Sequence, residues 1–395
     1  MIALPTNRDE NWRYANLRPL AKARVEAIAA TASQAIDLPP ALPGFERWVF
    51  VDGRLTSAPP GGSAAHVLDA RAAGDAFAAQ LDDSIAAAGV DFALARINAA
   101  RGDAVLHLAL ADATAAHLEV IFVSTAPAAT GTSYPRLQFH VGRGAQLKLV
   151  ERHLGAGNAD TAVNAAVDVA IAPEAVVEHD REQRAGDRSS CFDTLVVHVG
   201  ERASYALRTV TLGSLASRST VFIKLAGRAA RCELTAAIVA NGTQTHDVFA
   251  EIEHAAPDTV TRELFRGIAT ERGKLAFNGK IIVRENAYES DSEQSLKSLL
   301  TGSGAEAAAR PQLEIYTDRV RAAHGATTGK LDEQMLFYLL SRGIERDTAR
   351  ALLQWAFIEA AVSRVTPVTL REDIERAVLK RLSDVAPLDG LLVPP

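Results

Sequence analysis

A chain of 395 residues, 48% hydrophobic and 23% charged, can bury a sizeable core and has the composition of an ordinary globular protein. Its formal charge of −6 excludes the broad basic surface that nucleic-acid phosphates require. Two cysteines, Cys191 and Cys232, lie far apart with no CxxC, which excludes a disulfide framework and a self-contained four-thiolate iron–sulfur site. Each reads as a small buried hydrophobe in a strand. The opening MIALPTNRDENW has no basic stretch followed by an apolar run. Apolar runs such as Val120–Val123 are far too short to cross a bilayer. The expectation is a cytoplasmic protein without membrane contact.

Residues 1–103 read as a mainly helical region with one β piece. Asn11–Leu17 reads as an amphipathic element whose Trp12 and Tyr14 pack on the body. Trp48–Val51 followed by Asp52-Gly53 reads as a strand entering a tight turn. Ala58–Ser63 is a Pro/Gly loop. Arg71–Ala100 is alanine-rich, with Phe77, Leu81, Ile85, Phe92 and Ile97 spaced as in short helices.

From Ala104 the hydrophobic period becomes two. Val105–Leu108, Leu118–Val123 and Leu137–Val141 are strands by composition. A loose repeat follows: a strand, a tight turn of small residues, another strand. Its turns carry Ala145, Ala175, Ala203 and Ala229. Repeating strands without intervening helices fit stacked β coils, in which each coil buries its apolar face only against its neighbours. A large β-sandwich gives similar turn spacing. This region runs over 104–320. The charges of Arg181-Glu182-Gln183-Arg184, with Asp187 and Arg188, read as a solvated loop. His140 and His198 read as surface or paired side chains.

The stretch from Pro311 to Ile344 changes period. Leu313 and Ile315 share one face of a strand, Gln312–Tyr316, taken as the last one. A polar turn follows with His324-Gly325 at its tip. Met335, Leu336, Leu339 and Leu340 then recur at helical spacing, and Gly343 stands where a C-capping glycine belongs. Two more helices are expected. One has a stripe of Ala349, Leu352, Leu353, Ala356, Phe357, Ala360 and Ala361. The other opens on Thr369–Glu372 after Pro367, with Leu370, Ile374, Ala377 and Val378 as its stripe. Val385–Pro395 reads as irregular. Gly325–Lys330 fails the phosphate-loop pattern, since His324 and Leu331 stand where Gly and Ser/Thr are needed.

Several segments together resemble the SufB/SufD family of iron–sulfur cluster assembly proteins. They are Leu313–Tyr316, His324–Thr327, Leu331–Glu333, Leu336–Leu339 and Ser341–Ile344. Arg266-Gly267, Ala276–Ile281, Val283-Arg284, Gln294-Ser295 and Leu299-Leu300 continue the resemblance, and Asn11–Leu17 resembles the start of the SufD branch. The resemblance implies a mainly β fold: a right-handed parallel β-helix (β-solenoid) core flanked by an N-terminal helical region and a C-terminal helical region, 321–395. It implies a SufD-like, non-catalytic subunit of a SufBCD-type complex. The partners would be a SufB-like paralogue, paired edge to edge, and a SufC-like ABC-type ATPase on the C-terminal helices near Phe337, Tyr338 and Arg342. A homodimeric scaffold acting alone is a third reading, distinguished by whether partners are needed for stability. The family often has cysteine where this chain has Ala322, so His324 is the metal candidate left at the join. Iron or an iron–sulfur cluster is expected there only transiently, across the partner interface, and not in the isolated chain. The competing reading is a β-helix enzyme acting on polysaccharide.

Overall fold

The computed structural model describes residues 4–28, 36–60, 63–69, 89–102, 104–155 and 159–382. The first strands are β1 (Glu46–Val51), β2 (Arg54–Ser57), β3 (Ala65–Asp69) and β4 (Ala104–Leu110). Next come β5 (Ala115–Ser124), β6 (Arg136–Val141), β7 (Gln146–Gly155), β8 (Ala162–Ile171), β9 (Val176–Arg184) and β10 (Ser190–Val199). They are followed by β11 (Ser204–Thr211), β12 (Ala216–Leu225), β13 (Arg231–Ala240), β14 (Thr245–His254) and β15 (Val260–Ala269). The last are β16 (Lys274–Val283), β17 (Ser290–Leu300), β18 (Glu306–Ile315) and β19 (Val320–Gly329). Helices are α1 (Arg18–Lys22), α2 (Ala93–Arg101), α3 (Glu333–Ser341), α4 (Arg346–Val362) and α5 (Val368–Leu382).

From β4 onward, successive strands alternate between two sheets; before that, β1 and β2 share one sheet and β3 and β4 the other. One has the order β19-β17-β15-β13-β11-β9-β7-β5-β1-β2, the other β18-β16-β14-β12-β10-β8-β6-β4-β3. Among the described strands only β1–β2 and β3–β4 pair antiparallel; the coils stack parallel. The fold is a parallel β-solenoid of about seven turns with helices at both termini.

The turn chemistry explains the repeat. Gly144, Glu174, Arg202, Ala229, Asp258 and Glu289 all adopt positive φ, between +57° and +64° apart from Arg202 at +54°. The next residue points inward, and Ala145, Ala175, Ala203 and Ala230 are each fully buried. The inward alanine of the fourth turn is therefore Ala230 rather than Ala229, which takes the left-handed position. Inside, one apolar stack runs from Trp48 and Phe50 through Leu149, Val197 and Ile223 to Phe265, Phe277 and Leu296. Each such side chain contributes roughly 1.5–3 kcal/mol on full burial. Cys191 and Cys232 are buried in strands, and burial pushes both thiols up.

Helices α4 and α5 lie on the outer face of the ten-stranded sheet. Trp355, Ile358, Val362, Leu370, Ile374 and Val378 pack against Val150, Val210, Leu212, Val239, Ile268 and Leu299. The stripe of α5 falls as the sequence indicates. That of α4 is rotated: Ala351, Gln354, Trp355 and Ile358 are buried while Ala356 and Ala360 are exposed. The large side chains decide the docking face, and alanines fill either side.

Arg181–Arg184 does not form a solvated loop. It is the end of β9, and its charges alternate between the two faces. Arg181 turns inward to Glu151 and Asp193, both at 3.0 Å. Glu182 turns outward to Arg152 at 2.7 Å and Arg184 at 3.1 Å. Arg152 and Arg184 both reach Asp373 on α5. The segment stays in the sheet because each buried charge meets its opposite on the next coil.

The N-terminal region is mixed rather than mainly helical: within its described residues it holds three strands, two helices and short 3₁₀ turns. Phe77, Leu81 and Ile85, like Val385–Pro395, lie outside the described residues. Trp12 is fully buried, but Tyr14 is exposed rather than packed. The Trp12 indole N–H donates to Asp91 at 2.7 Å, and the Arg218 guanidinium stacks 4.3 Å from its ring centre.

Candidate functional site

The solenoid ends in a bare coil. Strands β18 and β19, ten residues each, are the outermost strands of their sheets. Each pairs on one side only, β18 with β16 and β19 with β17. Their remaining backbone donors and acceptors face outward, as on any sheet edge.

His324 lies on this coil, but not at a turn tip. It is the fifth residue of β19, paired with Gln294 of β17. The strands continue to Gly329, past the expected boundary at 320, and Gln312–Ile315 belongs to the last strand but one, with Tyr316 just beyond its end. The sequence signal was misleading for a physical reason. Among the described residues no further coil covers β19, so it needs no apolar alternation, and the ladder to β17 holds small and polar residues extended.

Register places His324 on a defined row. Leu234, Glu263, Gln294 and His324 follow one another across β13, β15, β17 and β19. Gln294 shares its face of β17 with Leu296, a residue of the inner stack. His324 therefore continues an inward-facing row, yet is exposed because the coil is open. Beneath it, the Gln294 amide N–H donates to Glu263 at 2.7 Å. Burial pushes the Glu263 carboxyl up to about 8, with the Gln294 bond opposing weakly. Gly279 makes room for this pair. A Cβ there would stand 2.9 Å from the Gln294 amide nitrogen and 3.1 Å from a Glu263 oxygen. The adjacent row runs Cys232, Thr261, Ser292, Ala322, so the position that often carries cysteine also faces inward. Gly325 and Gly329 border open space. Among the described residues no three His, Cys, Asp or Glu side chains stand as a metal site.

Sequence reasoning found His324 but missed Glu263. It quoted Gln294 without a role. Their signal was available: polar residues at core positions of successive repeats.

The second candidate surface is α3. Asp332 caps it by accepting from the N–H groups of Gln334 and Met335, and Gly343 closes it at φ +83°. Leu336 is buried, while Phe337 is 72% exposed, Tyr338 52% and Met335 48%. The Arg342 guanidinium sits 5.2 Å from the Tyr338 ring centre. Phe337, Tyr338 and Arg342 thus share one outward patch. The apolar stripes of α4 and α5, by contrast, are already covered by the sheet. His140 stands 5.7 Å from His107 in a row of rings on the outer face of the nine-stranded sheet, remote in sequence and coil from His324.

Comparison with known proteins identifies the frame around these residues. A family model described as SUF system FeS cluster assembly, SufBD core domain, matches residues 122–357, more than half of the chain. The iron–sulfur cluster assembly protein SufD of Escherichia coli is 26% identical over 394 residues, covering 97% of this chain and 90% of that protein. An iron–sulfur cluster assembly SufBD family protein of Synechocystis is 29% identical over 54% of this chain and 48% of its own length. Protein ABCI7, chloroplastic, of Arabidopsis thaliana is 27% identical over 62% of this chain and 52% of its own. The matched span runs from the first coils through the bare coil to α4, and on that agreement the chain belongs to the SufBD core family of the SUF iron–sulfur cluster assembly system, on its SufD side.

Proposed function

We propose that the chain is the SufD-like, non-catalytic subunit of a SufBCD-type complex in the cytoplasm, where it helps a SufB-like paralogue receive iron and form clusters. The observation that carries this reading is the bare coil: two ten-residue parallel edges with an exposed imidazole on the inward row. A paralogue with the same fold satisfies these edges by adding its own strands. Family membership favours this over a polysaccharide-active enzyme.

A single imidazole cannot hold a cluster; thiolates dominate such sites and histidine substitutes for some of them. His324 accordingly supplies one nitrogen ligand, or receives iron, while the thiolate comes from the partner. His324→Ala should leave fold and complex intact, because an exposed side chain buries little. It should lower the iron and sulfide recovered with the complex purified from cells. Equal iron and sulfide in both complexes would remove His324 from the mechanism.

The SufC-like ATPase docks on α3. A large exposed aromatic pair beside an arginine is the composition of a protein interface centre. Phe337→Asp should weaken ATPase binding at least about tenfold, the cost of one interface anchor, and leave the melting temperature unchanged. Titration calorimetry with the purified ATPase reads this; unchanged affinity places the contact elsewhere.

A further inference from the structure

We infer that Gln294, anchored by Glu263, is a positioning residue for His324: its side-chain carbonyl accepts one imidazole N–H and leaves the other ring nitrogen as a lone pair facing out of the open coil. The inference deepens the reading of His324 above and rests on it for its purpose.

The anchor is the hydrogen bond from the Gln294 amide nitrogen to Glu263. Because the nitrogen points to β15, the oxygen of the same planar amide is turned away from that strand. This oxygen is buried and has no hydrogen-bond partner, and the second Glu263 oxygen is in the same state. Gln294 and Glu263 are only 2% and 3% exposed. Buried polar atoms without a hydrogen-bond partner are uncommon, and a leucine pair would avoid them. One rung along the sheet, about 4.8 Å away, stands His324 in register. It is a donor-bearing side chain on the same face with freedom to rotate. The missing Cβ at Gly279 keeps the row from being crowded off line. An imidazole that binds metal through one nitrogen is fixed by the bond its other nitrogen makes, which sets tautomer and ring direction. The Glu263–Gln294 pair supplies that bond from inside the solenoid.

The test reads the ring directly, on the chain alone. Protein labelled with ¹⁵N-histidine gives imidazole signals, and the His324→Ala difference assigns those of His324. In the wild type, His324 is expected in one tautomer. In Gln294→Leu the tautomer ratio should shift about three- to tenfold toward a free imidazole, the range that one hydrogen bond sets. The double variant Gln294→Leu/Glu263→Leu should do the same with an unchanged or higher melting temperature, since both unpartnered oxygens go. A purely structural pair would instead lower the melting temperature and leave the His324 ratio unmoved, and that result overturns the inference. If the leucine variants do not fold, the wild-type spectrum decides: a free-imidazole ratio at His324 is incompatible with the inference. A locked ring in a protein whose complex is indifferent to His324→Ala would sink the assembly role of His324 and leave its positioning intact.

Discussion

Arg218→Ala should cost about 3–5 kcal/mol of stability, the usual cost of leaving a buried charge without its partner. Arg218 on β12 is almost fully buried and pairs with Asp247 on β14. Burial already pushes the Asp247 carboxyl up, and Arg218 is what opposes that push. The same guanidinium donates to the Asn11 carbonyl at 2.7 Å and to Thr220 at 3.1 Å, and stacks on Trp12. Its removal therefore strands a carboxylate and loosens the N-terminal segment together. At about 2.1 cal/mol/K per residue, the melting temperature should fall by roughly 4–6 °C. Asn11 should become accessible to protease before the solenoid unfolds. Arg218→Met with Asp247→Leu should recover much of the loss, because a well-packed apolar pair replaces the ion pair. A single variant that melts with the wild type would show that the pair contributes nothing.

Glu263→Gln should make the protein more stable at pH 8 and nearly indifferent at pH 4.5. The sign follows from where the proton binds more tightly. Unfolded, this carboxyl titrates near 4.5; folded, burial raises it to about 8. Between those values the folded chain holds a proton that the unfolded chain has released, so stability falls as pH rises. The full effect is on the order of 4–5 kcal/mol at 1.36 kcal/mol per pH unit. Asp168, raised by burial to about 7, adds a slope of the same sign between 3.8 and 7. Glu151 and Asp373 are held below their ordinary values, and what they contribute is lost only at lower pH. Denaturant unfolding from pH 5 to 8.5 should thus give a flatter line for Glu263→Gln than for wild type. Parallel lines would mean that Glu263 is ionised in the folded chain.

The repeat was legible because its turns are chemically constrained, while the choice of stacked coils over a sandwich came from the family resemblance. A positive-φ residue followed by an inward alanine recurs in successive turns, and small residues mark it in the sequence. The buried charges were not legible along the chain, because a strand places neighbours on opposite faces. Arg181 and Glu182 look like one polar run but belong to different environments. Read down the repeat they are plain: Glu151 pairs with Arg181 and Arg152 with Glu182, each thirty residues on. His324 was found through its motif, while its strand was hidden by the composition of an uncovered terminal coil. The covering of α4 and α5 by the sheet was also invisible, since an amphipathic helix does not say what it packs on. The exposed Phe337 could not be told from a core aromatic by spacing alone.

The two ends of the solenoid are unlike, and this limits stoichiometry. At one end stand ten-residue parallel edges, β18 and β19. At the other, β2 and β3 are four and five residues long and run antiparallel to their neighbours. Head-to-tail stacking would have to join long edges to short ones of mismatched direction, so it does not propagate. The pairing proposed above, bare coil to bare coil, would instead match long edge to long edge. Such a union uses up the competent end of each molecule. If the proposed pairing of bare coils holds, growth through the sheets would end at two chains, because the opposite end offers only the short antiparallel β2 and β3.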